Sequence, residues 1–356
     1  MSGQFPSIEP YDHGMLDVGG RHRVYWECCG NPTGRPALFL HGGPGSGCSV
    51  NQRRFFDPSL YNAVLFDQRG AGRSRPLASD PDADLSANTT AHLIADIEAL
   101  RELRRVDRWT TLGLSWGSTL GLAYAQTYPN RVNALVLAGV TTTSHREVQW
   151  MTEDIGRVFP QQWERFIDAI PEQLRRLRPV EAYSRMLADH DPIARDLAAR
   201  EWCAWEDAHI SLTPGHTPDP RYQDPALRLT FARLVTHYWQ HAAFLEEDQL
   251  IRDAAKLNGI PGLLIHGRFD ISGPLITAWR LSQRWTTCRL QVLDDAGHGG
   301  GNSFVPAVIE TSVSSPSSAS SSARSPTSSG LTSSGASTCS TTPRSSVRSS
   351  HFSAGS

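Results

Sequence analysis

Cysteine is scarce in this chain. Its 356 residues hold six, at Cys28, Cys29, Cys48, Cys203, Cys288 and Cys339, with neither the density of a disulfide scaffold nor the paired CxxC spacing of a zinc site. Reduced thiols are expected, and the adjacent Cys28 and Cys29 read as packing residues beside a strand. No apolar run is long enough to span a bilayer, and Met1 to Trp26 has no long apolar stretch after a basic one, so neither a membrane anchor nor a secretory leader is expected. An excess of one charge is also missing: 34 Lys and Arg against 36 Asp and Glu leave a formal −2, too weak a field to gather nucleic acid or an anionic membrane. Together these absences predict a cytoplasmic protein that acts on small neutral or zwitterionic substrates, and they leave the oligomeric state open. The run Gly42-Gly43-Pro44-Gly45-Ser46-Gly47 lacks the lysine and spacing of a phosphate-binding loop, and no dinucleotide fingerprint or metal cluster is present. No cofactor and no metal are expected.

What the chain does have is alternation. From Tyr11 to Gly30 two short segments flank Asp17-Val18-Gly19-Gly20, which predicts an antiparallel hairpin. Short apolar runs follow at Ala37–Leu40, Ala63–Phe66, Thr110–Leu114, Ala134–Ala138, Gly262–Ile265 and Leu290–Leu293, with amphipathic stretches between several of them. That pattern predicts an α/β fold, a mostly parallel sheet covered by helices on both faces. Between the last two pairs of runs, residues 141–257 turn helical in pattern and rich in Trp, Arg, Glu and His, as a helical cap inserted after the sixth strand would be. The core is then residues 1–140 with 258–310. Residues 311–356 collapse to Ser and Thr with scattered Pro, Gly and Arg, too few apolar side chains to offset the entropy of ordering, so a disordered tail is expected.

The chemistry concentrates at Gly113-Leu114-Ser115-Trp116-Gly117, between an apolar strand and a helix-compatible run. A serine on such a strand-to-helix turn presents its hydroxyl at the carboxyl edge of the sheet, while glycines two residues to either side let strand and helix approach. His41-Gly42-Gly43-Pro44-Gly45 directly follows another strand. Bare glycine amides there can face an oxyanion, which makes the N–H groups of Gly43 and Trp116 the candidate oxyanion hole; the bland alternative is a simple Gly/Pro turn.

A serine hydroxyl is a weak nucleophile at neutral pH, so it needs a base, and the base needs an orienting acceptor. Where a nucleophile sits on this kind of turn, the chain order is Ser, then Asp or Glu, then His. Of thirteen histidines, His266 lies inside an apolar strand and His237 and His241 lie in helical sequence, which leaves His298, just beyond the last strand, as the base. Asp270 follows the preceding strand and is the favoured acid. Asp294 and Asp295 compete with it, although their closeness to His298 in sequence makes orientation of its far nitrogen awkward.

At these residues the chain resembles the proline iminopeptidases, also called prolyl aminopeptidases, of the α/β-hydrolase superfamily. The resemblance runs from Tyr11 to His298 and rests on Val24-Tyr25-Trp26-Glu27, His41-Gly42-Gly43-Pro44-Gly45, Asp67-Gln68-Arg69-Gly70 with Gly72-Arg73-Ser74, Asn88-Thr89-Thr90, Ser115-Trp116-Gly117-Ser118, and Gly267-Arg268 before Asp270. It implies release of N-terminal proline from peptides through an acyl-enzyme, with a peptide or small amide bearing a free N-terminus as the only partner. It also implies that Glu206, in the element similar to Trp205-Glu206, binds the substrate's charged amine. The family's second amine-binding glutamate aligns with Val235, and aromatic residues of its proline pocket align with Thr141 and Thr152, so the chain departs from the pattern at those places. The resemblance also leads one to expect a helix after the last strand, which only Phe304 to Ile309 could begin; a reading-frame change or terminal replacement would account for the Ser/Thr-rich stretch beyond it. The runner-up function is an esterase, an amidase or an aminopeptidase of other preference on the same scaffold; a non-catalytic binding protein is the third.

Overall fold

The computed structural model describes residues 4–314 apart from 81, 211, 213–216, 299 and 301–302. Eight strands form one sheet: β1 (Asp12–Asp17), β2 (Arg23–Gly30), β3 (Arg35–Leu40), β4 (Tyr61–Phe66), β5 (Trp109–Leu114), β6 (Val132–Ala138), β7 (Gly262–Gly267) and β8 (Cys288–Leu293). Their order is β1-β2-β4-β3-β5-β6-β7-β8. The hairpin β1–β2 is antiparallel, β2 meets β4 antiparallel, and every later pair is parallel. The fold is thus the α/β sheet that the apolar runs predict, with each strand beginning up to two residues before its run.

Helices fill the crossovers. α1 (Val50–Arg53) and α2 (Thr90–Leu103) flank β4 in the chain, and α3 (Trp116–Thr127) joins β5 to β6. Between β6 and β7 lie α4 (His145–Thr152), α5 (Pro160–Asp168), α6 (Pro179–Met186), α7 (Pro192–His209), α8 (Pro225–Gln240) and α9 (Gln249–Arg252), with no strand among them in the described residues. Finally α10 (Ile276–Ser282) joins β7 to β8, and α11 (Phe304–Ser314) comes after β8. No helix among the described residues is long and apolar enough to cross a membrane.

Side chains alternate across a strand, so each strand feeds two cores. Leu38, Leu40, Val64, Phe66, Leu135, Leu137 and Leu264 point to one face, where they pack with Leu93 and Ile97 of α2, with α3, and with the aromatic residues of α5 to α8. Ala37, Phe39, Ala63, Leu65, Leu112, Val136, Leu263 and Ile265 point to the other, where Phe55, Phe56, Phe304, Ala307, Val308 and Ile309 cover them. The short apolar segment after His298 therefore closes the second face as α11, which runs a few residues into the stretch whose composition reads as a tail. The remainder of that predicted tail, 315–356, lies outside the described residues.

Phe304 is 2% exposed. Phe304→Ala is expected to cost about 3–5 kcal/mol through lost burial and the cavity left behind. Equilibrium denaturant unfolding reads this directly: an unaltered midpoint would mean that α11 contributes nothing to the second core.

Candidate active site

Ser115 sits between β5 and α3 with φ 53° and ψ −122°, a left-handed-side backbone that non-glycine residues rarely adopt. Close packing holds it there. A Cβ on Gly113 would lie 2.3 Å from the carbonyl oxygen of Gly117, and one on Gly117 would lie 2.1 Å from that of Leu40, so any larger residue would force strand and helix apart. The Ser115 amide donates to Ala138 O at 2.9 Å, and the Ser115 carbonyl accepts from both the amide and the hydroxyl of Ser118 at 2.6 Å.

The loops after β5, β7 and β8 meet at this point. Ser115 Oγ is 2.7 Å from His298 Nε2, and His298 Nδ1 is 2.7 Å from Asp270 Oδ2. The other oxygen of Asp270 accepts the amide of Gly273 at 2.8 Å, which fixes the carboxylate's orientation. The rival acids face elsewhere: Asp294 pairs with Arg268 at 3.0 Å, and Asp295 accepts the Ser303 hydroxyl. Burial opposes charge on His298, but Asp270 beside it, aided by Glu206, raises its pKa above the usual imidazole value.

Two further histidines near the site are structural. His266 accepts the Val140 amide on Nδ1 at 3.1 Å and donates from Nε2 to Gly273 O at 2.5 Å, so both ring nitrogens are satisfied in the neutral form. Burial lowers its pKa accordingly. His41, which opens the glycine-rich loop, donates from Nδ1 to Gly42 O at 2.8 Å and accepts the Gln68 amide on Nε2 at 3.0 Å. Gln68 in turn donates to the His41 carbonyl at 3.1 Å and accepts the Trp116 indole N–H at 2.8 Å.

That chain of bonds ties the 41–45 loop to the first residue of α3. Gly43, with φ 113°, and Trp116 both line the cavity above Ser115. The Trp116 amide, as the first of its helix, has no intrahelical acceptor, and among the described residues no acceptor is recorded for the Gly43 amide. Two N–H groups are thereby available beside Ser115, one of them at the positive end of α3.

The cavity measures about 490 Å³, and its walls include Ser115, His298, Thr141, Thr143, Met151, Glu206, Tyr222, Phe231 and Trp239. Glu206, on α7, is 6% exposed, and its Oε1 has no hydrogen-bond partner. Burial is the chief cause that pushes its pKa up to about 8; Asp207 adds to the rise and His298 opposes it. A buried carboxylate with one unpartnered oxygen, on the wall of a cavity that also opens onto a Ser-His-Asp relay, suits a cationic ligand group.

The sequence matches the α/β-hydrolase-fold family model over residues 36–300. It is 52% identical over 309 residues to a probable proline iminopeptidase of Streptomyces coelicolor, covering 86% of this chain and 95% of that one. It is 44% identical over 316 residues to the proline iminopeptidase of Xylella fastidiosa, covering 88% and 98%. This chain belongs to the proline iminopeptidase family. Among solved structures, a proline iminopeptidase-related protein of Thermus thermophilus superposes with a TM-score of 0.55 at 21% identity, covering 86% of this chain and 98% of that one. At that identity the likeness speaks for the fold alone.

Within a proline iminopeptidase, the places where this chain departs from the family pattern now have surroundings. Thr141 lines the cavity, and its hydroxyl lies 3.1 Å from that of Thr119. Thr152 is buried with its hydroxyl donated to Val148 O at 2.9 Å, and it is not part of the described wall. Val235 is fully buried on α8, between Phe231 and Trp239 at four-residue spacing, and both of those aromatics line the cavity. The aromatic wall supplied by α8 escaped the sequence reading, although the 231–235–239 spacing carries its signal.

Gln68→Ala removes the bridge between His41 and Trp116 and leaves a buried indole N–H and a buried carbonyl without partners. A loss of about 1–3 kcal/mol of stability per orphaned group is expected, with a lower kcat on any substrate that forms an oxyanion. Denaturant unfolding and steady-state assays measure the two effects; full activity in a stable variant would show that the bridge does not support the loop.

Proposed function

We propose that this chain releases N-terminal proline from peptides and small amides by acyl transfer to Ser115. The observation that carries the reading is one cavity lined both by Ser115 and His298 of the relay with Asp270 and by the buried Glu206, one of whose carboxylate oxygens has no partner. The identity to curated relatives named proline iminopeptidase supports the substrate class. In this reading helices α4 to α9, within residues 141–257, act as a cap over the core formed by 1–140 and 258–310, and the protein works in the cytoplasm without a cofactor.

Glu206 binds the cationic imino terminus, which brings the prolyl carbonyl carbon to Ser115 Oγ. His298 Nε2 takes the hydroxyl proton as the C–O bond forms, and the amides of Gly43 and Trp116 hold the oxyanion. Collapse breaks the C–N bond, and His298 passes its proton to the leaving amine. Water then attacks the prolyl ester with His298 again as base, and proline leaves with Ser115 restored. Asp270 stays ionised throughout, keeping the imidazole in its tautomer and stabilising the imidazolium.

Thr141, where the family pattern has an aromatic residue, favours a second reading in which the enzyme is an aminopeptidase of other preference, or an esterase or amidase. A panel of aminoacyl chromogenic amides set beside simple esters separates these. Only an aminopeptidase requires the free amine, and only a proline iminopeptidase ranks the prolyl substrate first.

Ser115→Ala is expected to lower kcat by on the order of 10³ or more with the fold intact, and His298→Ala by a comparable factor. Asp270→Asn should be similar or milder. Near wild-type turnover of the Ser115 variant would remove the proposed nucleophile.

Glu206→Gln keeps the shape and removes the charge, so kcat/KM for prolyl amides should fall roughly ten- to a hundredfold, as loss of a charge-assisted bond implies, while an activated ester changes much less. The pH profile should separate the same substrates. Below its raised pKa, His298 is protonated and cannot take the serine proton, which places the acid limb above ~6.5 for every substrate. A cationic substrate further needs Glu206 ionised, so its rate should keep rising through about pH 8. Ester and prolyl amide profiles that coincide in the wild type would sink the anchoring role of Glu206.

A further inference from the structure

A second cavity, of about 210 Å³, adjoins the relay. Ser115, His298, Leu114 and Gln52 line both it and the larger cavity, so the two meet at the reacting atoms. Their remaining walls differ. Among the described residues Glu206, Gly43 and Trp116 line only the larger cavity, whereas Phe55, Gly139, Phe304 and Val305 line only the smaller. Phe304 and Val305 belong to the first turn of α11, and Gly139 directly follows β6. A Cβ built on Gly139 would lie 3.4 Å from His298 Cε1, so this part of the wall runs against the imidazole. Apart from His298, no titratable side chain lines the smaller cavity among the described residues. Asn51, also on its wall, is exposed, so one side faces solvent.

Acyl transfer to Ser115 needs room on both sides of the carbonyl carbon. Glu206 and the oxyanion donors place the prolyl ring and the carbonyl oxygen in the larger cavity. The leaving nitrogen must face His298 Nε2, from which it takes its proton. The residue joined to that nitrogen then extends past His298, away from Glu206, and the smaller cavity is the space found there. We propose that this cavity binds the side chain of the substrate's second residue and favours a medium-sized aliphatic one such as leucine. Phe55, Leu114, Phe304 and Val305 reward the burial of such a side chain, whereas an acidic or cationic one would lose water there without gaining a partner. The first turn of α11 is then part of the specificity site as well as a cover for the second core. The inference rests on the reading of this chain as an N-terminal proline hydrolase.

The test compares three dipeptide amides, L-Pro-L-Leu-NH2, L-Pro-Gly-NH2 and L-Pro-L-Asp-NH2. All three form the same prolyl-enzyme, so differences in kcat/KM report acylation, the step in which the second residue is still bound. The leucyl substrate should exceed the glycyl one by about tenfold or more, with the aspartyl substrate below both. Val305→Lys, at a half-buried position, should bring the leucine-to-glycine ratio close to one and lift the aspartyl substrate above the glycyl one. Val305→Trp fills the space without adding charge; it should also lower the leucine-to-glycine ratio, and it serves should the lysine variant fail to fold. Equal kcat/KM for the three amides in the wild type overturns the assignment and leaves the prolyl activity standing. A leucine preference that survives in a folded variant, with all three rates reduced alike, overturns it as well, because Val305 would then serve only to pack α11. If the wild type hydrolyses none of the three, the proposed activity falls and the site falls with it.

Discussion

The approach of Gly117 to the carbonyl of Leu40 is the contact on which the site depends. β3 and β5 are neighbours in the sheet, and the first turn of α3 must pass over the end of β3 on leaving Ser115. With a Cβ at 117 excluded by 2.1 Å, and another at 113 by 2.3 Å, the crossing is possible only for glycine at both places. The consequence is geometric. The start of α3, the loop that continues from Leu40 and the strained serine are forced into one small volume, so nucleophile and oxyanion donors come from the same crossing.

A polar scaffold secures the loop beyond that crossing. His41 and Gln68 bridge it to the Trp116 indole. At its far end Asp67 accepts the Cys48 amide at 2.6 Å and the Arg73 guanidinium at 2.7 Å. Arg73 continues to the fully buried Glu27 at 2.8 Å, which Arg53 also pairs at 2.9 Å. Buried ion pairs contribute little net stability once desolvation is counted, yet removing one partner is expensive. Their effect here is to define a single arrangement of the loop and its neighbours, and most of the family-like motif between Asp67 and Ser74 is occupied with that work rather than with substrate.

How much of this could be read from the chain depended on the range of the interaction. The six apolar runs and the opening hairpin carry their own periodicity, so strands and layer order were legible. So was the elbow, because Gly113, Ser115 and Gly117 are local to one another. Asp270 and Asp294 each stand just past a strand end, and only the three-dimensional course of the loops separates the one that meets His298 from the one that meets Arg268. The aromatic wall of α8 was not legible. Phe231 and Trp239 become cavity residues through the packing of α7 against α8, and a helix carries no label for the face that will be opposite a nucleophile. Phe304 to Ile309 lay between the two cases, since the apolar content was plain and the surface it covers was not.

Glu206 shows what such a site costs. A carboxylate at 6% exposure with an unpartnered oxygen is a liability in an empty cavity, and burial answers by pushing its acid up to about 8, so that near neutral pH the group is largely protonated and the site carries little net charge. A cationic terminus reverses the balance, because its charge favours the ionised carboxylate and expels the proton. The same group bears on the relay, since Glu206 in its ionised form is one of the charges that raise the pKa of His298. With the ionised carboxylate and the ligand cation side by side, their fields largely cancel at the imidazole. Binding of the terminus therefore adds no net charge that would hold His298 protonated, the form that cannot take the proton of Ser115.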